Sequence, residues 1–232
     1  AEIKFQNKIY KSKIRLKGDL SGHWLSDRRI SLRIKLKDKG AVLGFREFGL
    51  QKPRERQFPY DYTYQSLVKE SGNISSAQNF VHLYINGNDW GIMNIEEHVT
   101  KEFLEKQKRK ESIIVRFSEE EATWPNHFVE NPYWLHRLYD SSLHARLYKD
   151  KKYLKDDQSR LIFSYISKKH LAFDSELYDI DSMMTAYILA MSWGHAHTLR
   201  DNNTRYYFNP YTLKLEPIAT DQFRYEALNG SN

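Results

Sequence analysis

Between His195 and Asp221 the chain gathers side-chain types that grip polyphosphates and hard cations. His195, His197, Arg200, Asp201, Asn202, Asn203 and Arg205 follow one another closely, and Asp221 comes after an expected hairpin. Mg2+ and Mn2+ take carboxylate and amide oxygens, and a carboxylate in a polar loop can accept the proton of an attacking hydroxyl. Asp201 is therefore the expected base, Asn202 or Asn203 an expected amide ligand, and Asp221, just beyond a strand, the expected metal-binding acid. Asp-Asn-Asn is also an ordinary turn composition, and the acid at the end of the next hairpin is what favours chemistry over a simple turn. His195 and His197 have the spacing of a transition-metal pair, so with Asp201 and Asp221 they define an alternative, a metal-dependent hydrolase. Histidines bonded to backbone at a helix end are the plainer reading of the same pair.

The other half of such a grip needs a cover for the phosphates and a cation on a strand. Gly18 and Gly22 flank a turn of small residues whose backbone amides can approach an anion, and Lys35 follows on the polar face of the next strand. Arg33 and Lys37 share that face, and an ordinary hairpin turn beside a solvated strand face explains the same residues without a ligand. Glu96 and Glu97 close an apolar strand where a nucleotide-binding lobe would place its connection to the next lobe and the edge that meets a base; for Glu97, a carboxylate favoured by a helix dipole is the structural alternative. The aromatic segments 58–64 and 206–208 could stack on bases, but no nucleic-acid-binding motif accompanies them, so nucleic acid is not an expected partner.

These residues must be positioned by a succession of strands and helices. Residues 3–5 and 13–17 read as a strand pair, and 31–37 alternate strictly, with Leu32, Ile34 and Leu36 on one face and Arg33, Lys35 and Lys37 on the other. Residues 40–53 read as irregular and 60–70 as a helix entered after Pro59 and stopped before Gly72. Asn86-Gly87, between the runs 80–85 and 90–95, is the strongest short-range hairpin signal in the chain. A charged helix over 101–110 follows, then a strand over 113–117. Residues 131–172 carry Leu135, Leu138, Leu143, Leu147, Leu161, Ile162, Tyr165 and Ile166 at roughly helical spacing. Residues 182–192 read as a buried helix capped by Asp179 or Asp181, and Asn209-Pro210 as the turn of a second hairpin. The order predicts an α+β, two-lobed, protein-kinase-like fold. Residues 1–100 form a strand-rich nucleotide-binding lobe of antiparallel sheet with one helix, and residues 101–232 a mainly helical lobe carrying a β-hairpin.

Composition sets the outer bounds. The 232 residues are 40% hydrophobic and 14% aromatic, enough to bury a sizeable core and to exclude a disordered chain. The absence of cysteine rules out disulfides, thiolate metal sites and cysteine nucleophiles. No apolar run approaches the roughly 20 residues that span a bilayer, so no membrane span is expected, and no targeting segment is read in the sequence. The net charge of +6 favours acidic partners such as nucleotides, although solubility alone accounts for a charge of that size.

The run Arg15-Leu16-Lys17-Gly18-Asp19, the strand Ser31-Leu32-Arg33-Ile34-Lys35-Leu36, and Leu83-Tyr84-Ile85-Asn86-Gly87-Asn88-Asp89-Trp90-Gly91-Ile92 leading into Glu97-His98-Val99 together resemble the spore-coat protein H (CotH) kinase family. Asn203, Arg205-Tyr206-Tyr207-Phe208 and Leu215-Glu216-Pro217-Ile218 leading to Asp221 extend the resemblance, which is clearest over 80–104 and 195–224. It implies an atypical protein kinase that uses ATP and Mg2+ or Mn2+ to phosphorylate protein Ser/Thr, in bacterial spore coats and other secreted or surface settings. By motif it makes Asp221 the metal-binding acid, Asn203 its amide partner, Asp201 the catalytic acid and Lys35 the phosphate-contacting lysine. A non-catalytic pseudokinase or structural coat module is the alternative. The sequence runs eleven residues past Asp221, short of the helices that complete a catalytic lobe, so it is expected to be part of a longer protein.

Overall fold

A computed structural model of the chain describes residues 1–18, 21–25, 29–37, 39–117, 145–148, 150–199, 203–222 and 225. Asp201, Asn202, Leu135, Leu138 and Leu143 lie outside these residues. The architecture is mixed α+β. The early alternation becomes a six-stranded sheet, in which β1 (Glu2–Phe5), β2 (Lys8–Leu16), β3 (Leu32–Leu36), β4 (Glu47–Gln51), β6 (Gln78–Ile85) and β7 (Asn88–Glu97) are ordered β1-β2-β3-β4-β7-β6. Every pairing in it is antiparallel. Leu32, Ile34 and Leu36 share a buried cluster with Phe48, Leu50, Met93 and Ile95, as the period-2 pattern of β3 requires. The opposite face carries Arg33, Lys35, Glu47, Gln51, Asn94 and Glu96, and this is the face on which the site is built. Asn86 and Gly87 both have positive φ, as a type I′ turn between β6 and β7 demands.

Strand β4 corrects the irregular reading of 40–53. All five of its residues are buried, because Phe48 and Leu50 enter the apolar cluster while Glu47, Gly49 and Gln51 lie under the polar site. A strand covered on both faces, one of them by ion pairs, has no wet side to reveal its period.

Helix α1 (Tyr60–Glu70) occupies the predicted span and leads to β5 (Ile74–Ser75), which leaves the first sheet and pairs in parallel with β11 (Lys214–Ala219). The second sheet has the order β5-β11-β10-β8-β9, with β8 (Ile114–Arg116), β9 (Arg146–Leu147) and β10 (Arg205–Asn209). Leu147 therefore sits in a strand paired with Val115 rather than on a helix. Helix α2 (Lys101–Lys106) starts on a Thr100 cap and buries Phe103 and Leu104 against Ile74, Ile114, Tyr207 and Ile218. It ends short of the expected residue 110: Arg109 leaves it to bond Glu216 at 2.8 Å and the Gly72 carbonyl at 3.2 Å.

Helix α3 (Asp157–Leu171) packs Ile166 with Leu177, Phe208 and Leu215. Helix α4 (Ile180–Ser192) is capped by Asp179, whose carboxylate accepts the Ser182 N–H at 3.0 Å. It is not buried all round, because Ala186 and Ala190 face inward while Ile180, Met184, Tyr187, Ile188 and Met191 are exposed. A uniformly apolar helix gives no sequence signal for which face packs, and here the small alanines permit the close approach. No helix among the described residues is long and apolar enough to cross a membrane.

Candidate active site

The site grows from one charge in an apolar strand. Glu96 follows Ile95 near the end of β7 and is 7% exposed, so its carboxylate needs cationic partners. Lys17, just past β2, donates to its Oε2 at 2.5 Å, Arg56 at 3.1 Å and the Gln51 amide at 3.2 Å. Burial pushes the Glu96 carboxyl up, but Arg56 and Lys17 together outweigh it and hold it well below the usual carboxylate range. Gly49 lies across from Glu96 on β4, and a Cβ there would come within 2.5 Å of the Lys17 Nζ, so the glycine makes the berth for the lysine.

Arg56 ends the 3-10 turn Pro53–Arg56, and besides Glu96 it pairs with the carboxylate of Asp221. Asp221 follows β11 with φ 60°, a left-handed backbone that a non-glycine residue adopts at a cost, which tertiary contacts must offset. Those contacts are explicit. The fully buried Gln222 donates its backbone N–H to Asp61 Oδ1 at 3.0 Å, accepts the Thr198 N–H at 2.7 Å on its side-chain oxygen, and donates its amide to the His195 carbonyl. Thr220 donates its hydroxyl to the Asn203 carbonyl at 2.7 Å, and Asn203 donates its side-chain amide to the His197 carbonyl at 2.9 Å. Asp61, in the first turn of α1, is fully buried and also accepts the Gln78 amide at 2.6 Å. Burial raises its pKa, with Arg56 opposing.

Of the residues expected from sequence, Asn203 and Asp221 share one turn network, in which Thr220 bonds the Asn203 backbone carbonyl and the Asn203 side-chain amide turns to the His197 carbonyl. Lys35 lies on the same face as Lys17 but outside its ion cluster: it is 3.4 Å from Glu47, its side chain is 64% exposed, and it borders a cavity of about 360 Å³. Val99, Thr100, Leu104, Ile114 and Tyr148 also line that cavity. Arg33 takes the inner position on Glu47 at 2.5 Å. Gly18 has φ 93°, and a Cβ on it would strike the His23 ring at 2.2 Å, so the turn itself requires glycine there. The Gly22 carbonyl accepts from Lys52 at 2.7 Å, which ties this loop to the turn carrying Arg56. Glu97 points away from Glu96, as alternation along β7 dictates, and its buried carboxylate is taken by Lys106 at 2.5 Å. The rings of His195 and His197 are 5.7 Å apart, and His197 Nε2 is 3.8 Å from Asp221. Among the described residues no three His, Cys, Asp or Glu side chains come together as a metal cluster.

Sequence reasoning missed Lys17, Arg56 and Asp61 as members of this cluster, and placed Glu96 with Glu97 at the lobe connection rather than at the centre of the ion pairs. The usable signal was Glu96, an ionisable group closing an apolar run, which commits the fold to placing a cation beside it. The Asp221 and Asn203 oxygens are the hard donors that suit Mg2+ or Mn2+, and the left-handed turn at Asp221 is an outlier of the kind that collects at ligand sites.

No curated protein matches the chain. A family described as CotH kinase protein matches residues 14–161, well over half of the sequence. That span takes in Lys17, Lys35, Arg56, Asp61 and Glu96 and stops before Asn203 and Asp221. With the match extending over both the first sheet and the start of the second, the chain belongs to the CotH kinase protein family.

Proposed function

We propose that the protein is an ATP- and divalent-metal-dependent protein kinase that transfers the γ-phosphoryl group to Ser or Thr hydroxyls of a protein substrate. Residues 1–100 and 101–232 then act as two lobes around a nucleotide cleft. The observation that carries the reading is the buried run of charges Lys17, Glu96, Arg56 and Asp221, which links the polar face of the first sheet to the end of β11. Phosphoryl transfer needs positioning and charge stabilisation more than covalent chemistry, and its recurring parts include a strand lysine held by a carboxylate and a metal-binding acid. Lys17 held by Glu96 suits the first part better than Lys35, whose exposed side chain suits contact at the cavity rim. Asp221, with the side-chain oxygen of Asn203, would hold Mg2+ or Mn2+. Bound there, the ion would supply charge neutralisation for the transferred phosphoryl group. Asp201 would accept the proton of the substrate hydroxyl, and the Gly18–Gly22 turn would cover the phosphates. Glu97, its side chain taken by Lys106, would act through the backbone it leads into, beside the cavity that fits the base. A surface or secreted setting accords with the spore-coat association of the family.

Incubation with ATP and Mg2+ or Mn2+, with phosphate detected on a generic acceptor and on the protein itself, tests this. Asp221→Ala should lose at least about 100-fold in phosphate incorporation with the fold intact, and Lys17→Met should lose more than Lys35→Met. Retained activity in Asp221→Ala would sink the metal assignment. The Arg56–Asp221 ion pair favours a second reading, a non-catalytic module in which arginine permanently neutralises that acid. This reading expects no thermal shift with ATP and Mn2+.

A further inference from the structure

Beneath the ion cluster runs a continuous buried line of side-chain hydrogen bonds that the phosphotransfer chemistry does not itself require. Gln51 Nε2 donates to Glu96 at 3.2 Å and to Asn94 Oδ1 at 3.4 Å. Asn94 Nδ2 donates to Gln78 Oε1 at 3.0 Å, and Gln78 Nε2 to Asp61 Oδ2 at 2.6 Å. The other oxygen of Asp61 accepts the Gln222 N–H at 3.0 Å, directly behind Asp221. Gln51, Asn94, Asp61 and Gln222 are each no more than 1% exposed. The line spans β4, β7, β6, α1 and the turn after β11.

Its polarity is imposed from the ends. Glu96 and Asp61 as carboxylates only accept, so each amide between them must point its donor outward or along the line toward Asp61. Two acceptor-only ends cannot be joined by head-to-tail amides without one double donor. Gln51 is that donor, and its buried carbonyl oxygen has no hydrogen-bond partner among the described residues. Leaving a buried carbonyl unsatisfied costs stability, and what it secures is a single orientation for every amide between the two acids.

We propose that Asp61 is a positioning residue that sets this amide line and thereby fixes both halves of the site, Glu96 with its lysine at one end and the left-handed turn of Asp221 at the other. The catalytic use of the two ends rests on the kinase reading; the line itself does not. In Asp61→Asn the new side chain has only one acceptor oxygen for two donors. If the amides turn to suit it, the last turn brings the Gln51 carbonyl against the Glu96 carboxylate and loosens Lys17. Asp61 thus acts on a lysine that it does not touch.

The test uses the whole chain without ligand. Labelling of Lys17 by an amine-reactive reagent should rise by about tenfold in Asp61→Asn, while the Gln222 amide, which cannot turn and keeps the one remaining oxygen, stays protected from exchange. Gln78→Met, at a partly exposed position, breaks the line in its middle with little risk to folding; it should raise Lys17 labelling while leaving Gln222 protected. Unchanged Lys17 labelling in both variants overturns the proposal, since a purely local role for Asp61 would not reach Lys17. A parallel titration with Mn2+ and ATP should weaken about tenfold in Asp61→Asn. Failure of the wild type to bind Mn2+ and ATP would overturn the kinase reading alone, because the ligand-free measurements judge the line independently.

Discussion

Glu96 sets the acid sensitivity of the molecule. Its carboxyl is held far below the ordinary glutamate value of 4.5, so the ionised form favours the native state. That contribution is fully present above 4.5 and is lost as pH falls below it toward the folded value. Asp61 acts in the opposite sense, since its raised pKa means that acid relieves part of the cost of burying its charge. Glu96→Gln leaves Lys17 and Arg56 without their buried counter-charge and should cost about 3–5 kcal/mol near neutral pH. In denaturant melts, the gap between wild type and Glu96→Gln should shrink by roughly 1.4 kcal/mol per pH unit below the ordinary glutamate value. A gap that does not change with pH would mean that Glu96 binds protons equally in the folded and unfolded states, and so is not held low by Arg56 and Lys17. At this scale the sequence was half legible. Ligand chemistry singles out Asp221 after the hairpin and Asn203 before it as expected metal ligands. Lys17, Arg33 and Lys35 share one sheet face, and only the cross-strand register, which places Gly49 and Glu96 opposite one another, separates them.

Among the elements, α1 and the two hairpins could be read because their signals are local: Pro59 and Gly72 bracket the helix, and Asn86-Gly87 and Asn209-Pro210 make the turns. Strand β4 could not, because the partners that bury its polar face come from distant segments. Its glycine offers a clean test. In Gly49→Ala the new methyl meets only the flexible end of Lys17, so the sheet should keep its stability within about 1 kcal/mol. Lys17 is displaced from Glu96, however, and phosphate transfer should fall as far as in Lys17→Met; a Gly49→Ala protein with full activity would remove Lys17 from the mechanism. The start of α4 is fixed differently, by a cap. Asp179→Ala should lower stability by about 1 kcal/mol in thermal or urea unfolding while leaving nucleotide binding unchanged, because the cap serves the helix and touches no site residue.

Across the whole molecule, much of the order of elements followed from periodicity, with β4, β5 and β9 the exceptions, but the assignment of strands to sheets did not. β5 is only Ile74–Ser75, too short for any periodic signal, and its partner lies far along the chain. Around it other ties reach the same region: Asn73 donates to the Ser182 carbonyl at 2.8 Å, and Arg109 joins Gly72 to Glu216. The small parallel pairing has a mechanical consequence. It moors the far end of α1 to the second sheet, while Asp61 at the near end holds the Gln222 backbone beyond β11, so the helix is pinned to one body at both tips. Helix α1 and the Asp221 turn thus form one mechanical unit with the second sheet, joined to the first sheet by the contacts of Asp61 with Gln78 and of Asp221 with Arg56.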